Sequence, residues 1–313
     1  MKAIQISEFG GPEVMKLVEL SDPVAGEGEV VLDVTAIGIN YADTHQTENS
    51  YLSQQTLPLV PGIEVVGTYE GKRYLTSATS GGYAEKTTAH RALLAPIPDA
   101  VSDEQAVCML VQGTTAWHIL KTMAHVQPGE SVVVHAAAGG VGTIAIQLAK
   151  MWGAKVIAVT SSEEKSKLAQ SLGADVVVDA NVADLGKALR AANGGKGVDI
   201  VLEMVGGTTF DESLKALGDF GRLITYGMAS RTAPTPVHPG ALMHGSKTIA
   251  GFWLANCFSK KEMLGDVIAE LFALVAKGKL TPVIGASYPL ENAADAHRAM
   301  LARATTGKIV LKP

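Results

Sequence analysis

Residues 131–135 read SVVVH, a β-branched run short enough to be a strand buried on both faces. A turn of small residues follows, and Val141, Ile144, Ala145 and Leu148 then recur at helical spacing. A second strand, 155–160, comes after Gly153. From there strands and helices alternate. Ser161-x-x-Glu164 has the form of a capping box for a helix ending near Leu172 and Gly173. Strands are predicted at 176–178, 199–204 and 221–226, and helices at 182–192 and 210–217. Alternation of this kind implies right-handed βαβ units and a doubly wound parallel sheet. A proline-rich loop at 232–239 leads to a possible edge strand at 247–252, then to an amphipathic helix at 261–277 and a short strand in the closing TGKIVLKP. Residues 1–98 are different in style. Short alternating or β-branched runs at 3–6, 15–19 and 29–39 are punctuated by FGGPEV, DPVAGEGE, PGIE and SGG, which predicts an irregular β-rich domain. Helical periodicity begins at 103–124, and PGES turns it into the central strand. The simplest organisation is an α/β chain with the parallel-sheet domain, 113–251, inserted into a β-rich domain formed by 1–112 and 252–313.

The turn after the central strand carries the first chemistry. Ala137, Gly139 and Gly142 occupy the three positions of a G-x-G-x-x-G fingerprint, with alanine at the first. A tight turn needs a tiny side chain, the backbone must approach a pyrophosphate, and the helix must sit close to the strand. Ala138, Gly139, Gly140, Val141 and Gly142 are therefore candidate cofactor-binding residues at a helix N-terminus. Composition agrees with an enzyme-like globular chain: 313 residues, 47% hydrophobic and 18% charged. A net charge of −5 gives no reason to expect nucleic acid or an anionic membrane as partner. Cys108 and Cys257 lie far apart and outside any C-x-x-C, so they read as buried small hydrophobes or free thiols. The first residues lack a secretory apolar core and no stretch suits a membrane span, so a cytoplasmic location is expected.

Five stretches together carry a family likeness: FGGPEV, GINYADTH, GTTAWHIL, HAAAGGVG and ARATTGKIVL. With them the chain resembles the zinc-independent quinone oxidoreductases of the medium-chain dehydrogenase/reductase superfamily. The resemblance implies a GroES-like catalytic domain, a Rossmann domain, NADPH as cofactor, and a homodimer joined through the Rossmann edge strands. Matching to the zinc enzymes of the superfamily puts Asn40, Ile63 and Val111 at their three ligand positions and leaves only Glu64 of the motif. One carboxylate cannot hold a zinc ion, so no metal is expected. The chain also runs directly through TYEGKRYLT, without the family's longer loop and G-D-R-V turn.

NAD enzymes carry an acid at the end of the second strand, whereas here Thr160 is followed by Ser161 and Ser162. That permits a 2′-phosphate. Lys165 matches the family's phosphate-binding lysine, or is a solvated helix lysine beside Glu163 and Glu164, either of which could reach a ribose. Arg303 matches an arginine that the family folds toward the same phosphate, while Ala180 replaces its tyrosine. Asn40, Thr115 and Gly227 match residues near the nicotinamide, Asn40 having a turn asparagine as its alternative. His45 and Tyr51 stand where the family carries two pocket tyrosines, which makes them, with Asn40, the candidate catalytic residues. His45 either donates a proton or hydrogen bond or is a loop residue. Tyr41 reads as packing and Asp43 as a loop tie. Phe252 and Trp253 either wall a substrate pocket or pack the edge strand. The reaction implied is reduction of a quinone by NADPH. Reduction of an enone or alkenal double bond, and NADPH binding without turnover, are the alternatives.

Overall fold

The valines at 132–134 have no polar side to offer water, and the strand Ser131–Val134 is buried at every residue in the middle of a six-stranded sheet. The computed structural model describes residues 1–50 and 52–313. The chain divides into two compact units, Thr115–Asn256 and a second made of Met1–Thr114 with Cys257–Pro313.

In Thr115–Asn256 the spatial strand order is Val176–Asp179, Lys155–Thr160, Ser131–Val134, Val198–Glu203, Leu217–Thr225, Thr248–Gly251. All neighbours are parallel. Counted along the chain this is 3-2-1-4-5-6, the Rossmann order, and it reverses between Ser131–Val134 and Val198–Glu203. Val133, Ile157, Val201 and Leu223 from four of these strands meet in one buried cluster with Leu185, Leu189 and Phe210. Helix Gly140–Met151 buries Ile144, Ala145 and Leu148 of the predicted stripe, and Ile146 with them, while Val141 at its start is half-buried.

Local chemistry moves some boundaries. The expected capping box at Ser161 is corrected: helix Glu163–Ser171 is capped by Ser162, whose hydroxyl accepts from the Lys165 amide at 3.4 Å. The helix expected at 182–192 starts instead at Leu185, where Asp184 accepts from the Lys187 amide at 2.8 Å. The periodic stretch 103–124 is not one α-helix. Wider π-type turns, Met109–Gly113 and Ile119–Met123, flank the α-helical Thr114–His118.

The other unit is built on the long strand Glu29–Ile39. It pairs antiparallel with Glu64–Tyr69 along one edge, and on the other edge with Lys86–His90 near its start and Lys308–Lys312 near its end. Ile37, Ile39, Val65, Tyr83, Ile309 and Leu311 share its core. Strands Glu64–Tyr69 and Lys72–Ser77 are joined by Glu70 and Gly71, both at positive φ (48° and 72°), so a two-residue hairpin turn takes the place of a longer loop. Within the segment expected to be strand and turn, Tyr41–Glu48 is a helix. Both cysteines are buried and free. Among the described residues no helix is long and apolar enough to cross a membrane.

Candidate functional site

The small residues after Ser131–Val134 make a cradle. Ala136 takes a positive φ of 46°, and the Gly139 amide closes the turn on its carbonyl at 2.8 Å. The Ala137 amide donates to Val159 at 3.1 Å, which ties the loop to the second strand. Gly139 caps helix Gly140–Met151, so the amides of Gly140, Val141 and Gly142 have no acceptor within the helix and face outward at its positive end. A Cβ on Gly142 would lie 2.5 Å and 2.7 Å from the Ala136 and Ala137 carbonyls, so only glycine fits there. The turn, the unsatisfied amides and the close helix are what a pyrophosphate requires.

The second strand ends on Thr160, buried and hydrogen-bonded to Ser166 at 2.7 Å. Exposed Ser161 and Ser162 follow it, and half-buried Lys165 is on the first turn of the next helix. Glu163 pairs with Lys167 at 2.7 Å. No carboxylate stands at the strand end, and the group of hydroxyls with a nearby ammonium suits a phosphorylated ribose. On the far side of the reversal, Gly227 is exposed after Leu217–Thr225, and a Cβ on it would sit 3.2 Å from that of Met204. Thr115 is buried in helix Thr114–His118. Phe252 stacks on buried His118 with ring centroids 5.6 Å apart.

In the other unit a chain of buried polar groups runs through the GINYADTH segment. Glu64 and Lys308 are both fully buried and form an ion pair. The ammonium also donates to Asn40 Oδ1 at 3.0 Å, and Asn40 Nδ2 donates to Glu64 Oε1 at 2.8 Å. The Val111 amide satisfies Glu64 Oε2 at 2.9 Å. Gly38 makes this possible, since a Cβ there would lie 2.6 Å and 2.7 Å from Lys308 Cε and Nζ. Asn40 is the residue before helix Tyr41–Glu48, and its amide N–H donates to Asp43 Oδ2 at 2.9 Å. Tyr83 donates to the same oxygen at 2.8 Å, and the Tyr83 oxygen meets His297 Nε2 at 2.9 Å. Burial pushes Asp43 up to about 7, against the pull of the Asn40 amide, Tyr83 and Lys308. Burial also pushes His297 down to about 4, so its ring is neutral at pH 7.

Asn40 is thus a buried helix-capping residue whose amide is oriented by Glu64 and Lys308. His45 is buried on the last turn of the same helix, with Nδ1 3.0 Å from Ser50 Oγ and its ring edge-on to Tyr41. Asp43 ties down the helix start. Tyr51 lies outside the described residues. Arg303 is exposed, at φ +55°, beyond helix Ala293–Leu301. Lys308, Tyr83, His297 and Glu203 were not among the predicted site residues. Only the first had a signal, its place in ATTGKIVL.

The positions that would ligate zinc do not fit the ion. Asn40 and Val111 bring an amide side chain and a backbone N–H, and the remaining carboxylate, Glu64, is occupied by an ammonium. No group of three or more His, Cys, Asp or Glu able to hold a metal occurs among the described residues.

Two family models match the chain. Residues 26–72 match an alcohol dehydrogenase GroES-like domain and residues 140–273 a zinc-binding dehydrogenase. A quinone oxidoreductase of Mus musculus is 35% identical over 328 residues, covering 99% of this chain and 97% of the relative. Among solved structures, the quinone oxidoreductase of Escherichia coli complexed with NADPH superimposes with a TM-score of 0.94 at 32% identity, covering all of both chains. A quinone oxidoreductase of Thermus thermophilus, described alone and with NADPH, gives 0.90 at 37% identity, again over the whole of both.

Proposed function

We infer that this chain, which belongs to the quinone oxidoreductase family of the medium-chain dehydrogenase/reductase superfamily, is an NADPH-dependent, metal-independent quinone reductase. The observation that carries the reading is the end of the second strand of the Rossmann sheet, Thr160, which is followed by Ser161 and Ser162 and has no acid at the strand end itself; Glu163 and Glu164 open the next helix, with Lys165 on its first turn. An acid at that place would repel a 2′-phosphate, and hydroxyls with an ammonium attract it. NADPH when bound supplies the hydride, and the protein supplies binding, orientation and charge stabilisation.

The amides opening helix Gly140–Met151 hold the pyrophosphate, with Ala138 and Gly139 in the turn below them. Ser161, Lys165 and Arg303 take the 2′-phosphate. Thr115 and Gly227 serve the nicotinamide side, as does Asn40, whose amide Glu64 and Lys308 keep in one orientation. Without a metal, negative charge that develops on the quinone oxygen needs hydrogen-bond donors, and His45 and Tyr51 fill that role. A donor so placed contributes about 10²–10³ in rate. The chain works in the cytoplasm as a homodimer joined through edge strands of the Rossmann sheet, whose edges are Val176–Asp179 and Thr248–Gly251. The unit Met1–Thr114 with Cys257–Pro313 is the catalytic domain and Thr115–Asn256 the cofactor domain, close to the 1–112 with 252–313 and 113–251 expected from sequence.

The test is NADPH oxidation by chelator-treated protein, with an ortho-quinone and an unsaturated ketone side by side. Rapid turnover of the quinone is expected. Turnover of the ketone alone would move the protein to the double-bond reductases, and tight NADPH binding without either would make it a binding protein.

A further inference from the structure

In a doubly wound sheet the ligand lies outside the carboxyl ends of the strands, at the point where the strand order reverses. Val198–Glu203 is the strand just past that point, and Glu203 is its last residue. Its carboxyl is fully buried. Oε1 accepts two backbone donors, Val205 N at 2.6 Å and Gly206 N at 2.9 Å. Oε2 is equally buried and has no hydrogen-bond partner among the described residues. A buried carboxyl with one oxygen unsatisfied is expensive to keep unless it does something there.

The turn that Glu203 fastens is itself a support. Tyr226 N donates to the Glu203 carbonyl at 3.0 Å, Ala229 N to Met204 at 2.8 Å, Ser230 N to Val205 at 2.8 Å and Gly207 N to Thr232 at 2.9 Å. Gly206 and Gly207 both take positive φ, 81° and 51°. A Cβ on Gly206 would lie 2.9 Å from both Met228 Cγ and the Thr232 carbonyl, so the two loops are in close contact. One carboxyl oxygen therefore fixes the 204–207 turn, and that turn fixes the 226–232 loop that contains Gly227.

We propose that Glu203 is a positioning residue: through the 204–207 turn it sets the loop 226–232 in the shape that receives the nicotinamide half of the cofactor. The proposal rests on the NADPH reading above. The adenosine half lies over the first three strands, on the other side of the reversal, and does not depend on Glu203. Burial raises the affinity of this carboxyl for its proton, so a neutral amide is the conservative replacement.

The experiment titrates wild type, Glu203→Leu, Glu203→Gln and Gly206→Ala with NADPH and, separately, with 2′,5′-ADP, which has no nicotinamide half. Glu203→Leu leaves two backbone donors without their acceptor and is expected to weaken NADPH at least about tenfold, while 2′,5′-ADP binds within about twofold of wild type. Glu203→Gln, which keeps the acceptor, recovers most of that loss. Gly206→Ala gives the same NADPH-selective weakening, which keeps the test open if the leucine variant does not fold. Wild-type NADPH affinity in both Glu203→Leu and Gly206→Ala, or equal weakening of both ligands, would overturn the proposal alone. A wild-type protein that binds neither ligand would overturn the cofactor reading and this proposal with it.

Discussion

Replacing Asp43 with asparagine isolates the cost of the buried polar chain. Asp43 gives up water for two donors, the Asn40 amide and the Tyr83 hydroxyl, which do not fully compensate, and its carboxyl is pushed from 3.8 up to about 7. The folded protein therefore keeps a proton on Asp43 between pH 4 and 7 that the unfolded chain has already released. Stability falls as pH rises wherever the native state binds the extra proton. From pH 5 to pH 8 the wild type is expected to lose about 3 kcal/mol relative to Asp43→Asn, the two units below pH 7 counting about 1.4 kcal/mol each. His297 works in the opposite direction: it is neutral in the fold down to about pH 4, so it favours the folded state as pH rises toward 6.5. That contribution is present in both proteins and cancels in the difference. The asparagine side chain still accepts both hydrogen bonds, so the slope against pH carries the test, and any fixed offset does not.

The assay has to report the right unit. All three tryptophans, Trp117, Trp152 and Trp253, lie in Thr115–Asn256, so their fluorescence follows the other half of the chain. Amide exchange in strand Glu29–Ile39, corrected for the intrinsic rate at each pH, gives the local opening free energy where Asp43 acts. A difference between the two proteins that stays level from pH 5 to 8, or that grows in favour of the wild type, would refute the reasoning.

Three other outcomes are expected. Lys165→Ala weakens NADPH much more than NADH in parallel titrations, by about tenfold for the lost charge-assisted contact; equal loss for both removes Lys165 from the phosphate. Lys308→Met leaves Glu64 buried without its counter-ion and lowers stability by about 3–5 kcal/mol, whereas adding Glu64→Gln restores part of it, as thermal melts of the two variants will read. Tyr51→Phe lowers turnover about 10²–10³-fold with NADPH affinity nearly intact, and unchanged turnover takes the donor role from that phenol.

The parallel sheet was legible because its signals are local. SVVVH, the small-residue turn and the helical stripe of Gly140–Met151 each declare themselves within a few residues. Helix Tyr41–Glu48 was not legible from hydrophobic pattern, because YADTHQTE has almost no apolar stripe. What starts it is Asp43 reaching back to the Asn40 amide, a reciprocal cap with aspartate where glutamate is usual. The stretch 103–124 misled for a related reason: its π-type turns insert extra residues that a 3.6-residue period cannot register. The buried polar chain was invisible in sequence because its partners are remote. Glu64 meets Lys308 across 244 residues and Tyr83 meets His297 across 214. Glu203 looked like any charged residue at a strand end, and only its burial and its two backbone donors set it apart.

The residues around Glu64 form a filled, mutually hydrogen-bonded group. A carboxylate at the fully buried position of Glu64 is unstable without a cation close by. Strand Lys308–Lys312, paired beside Gly38, brings a lysine ammonium to it. Each neighbouring residue suits that ion pair. Asn40 offers an oxygen to the ammonium and an N–H to the carboxylate. Val111 contributes its backbone amide to Glu64 and needs no side-chain donor. Gly38 leaves the volume into which both long side chains extend. The cation is thus part of the chain, and its partners hold Asn40 at the start of the helix that carries His45. The buried ion pair and the ordering of the predicted donor segment are in this respect a single structural solution.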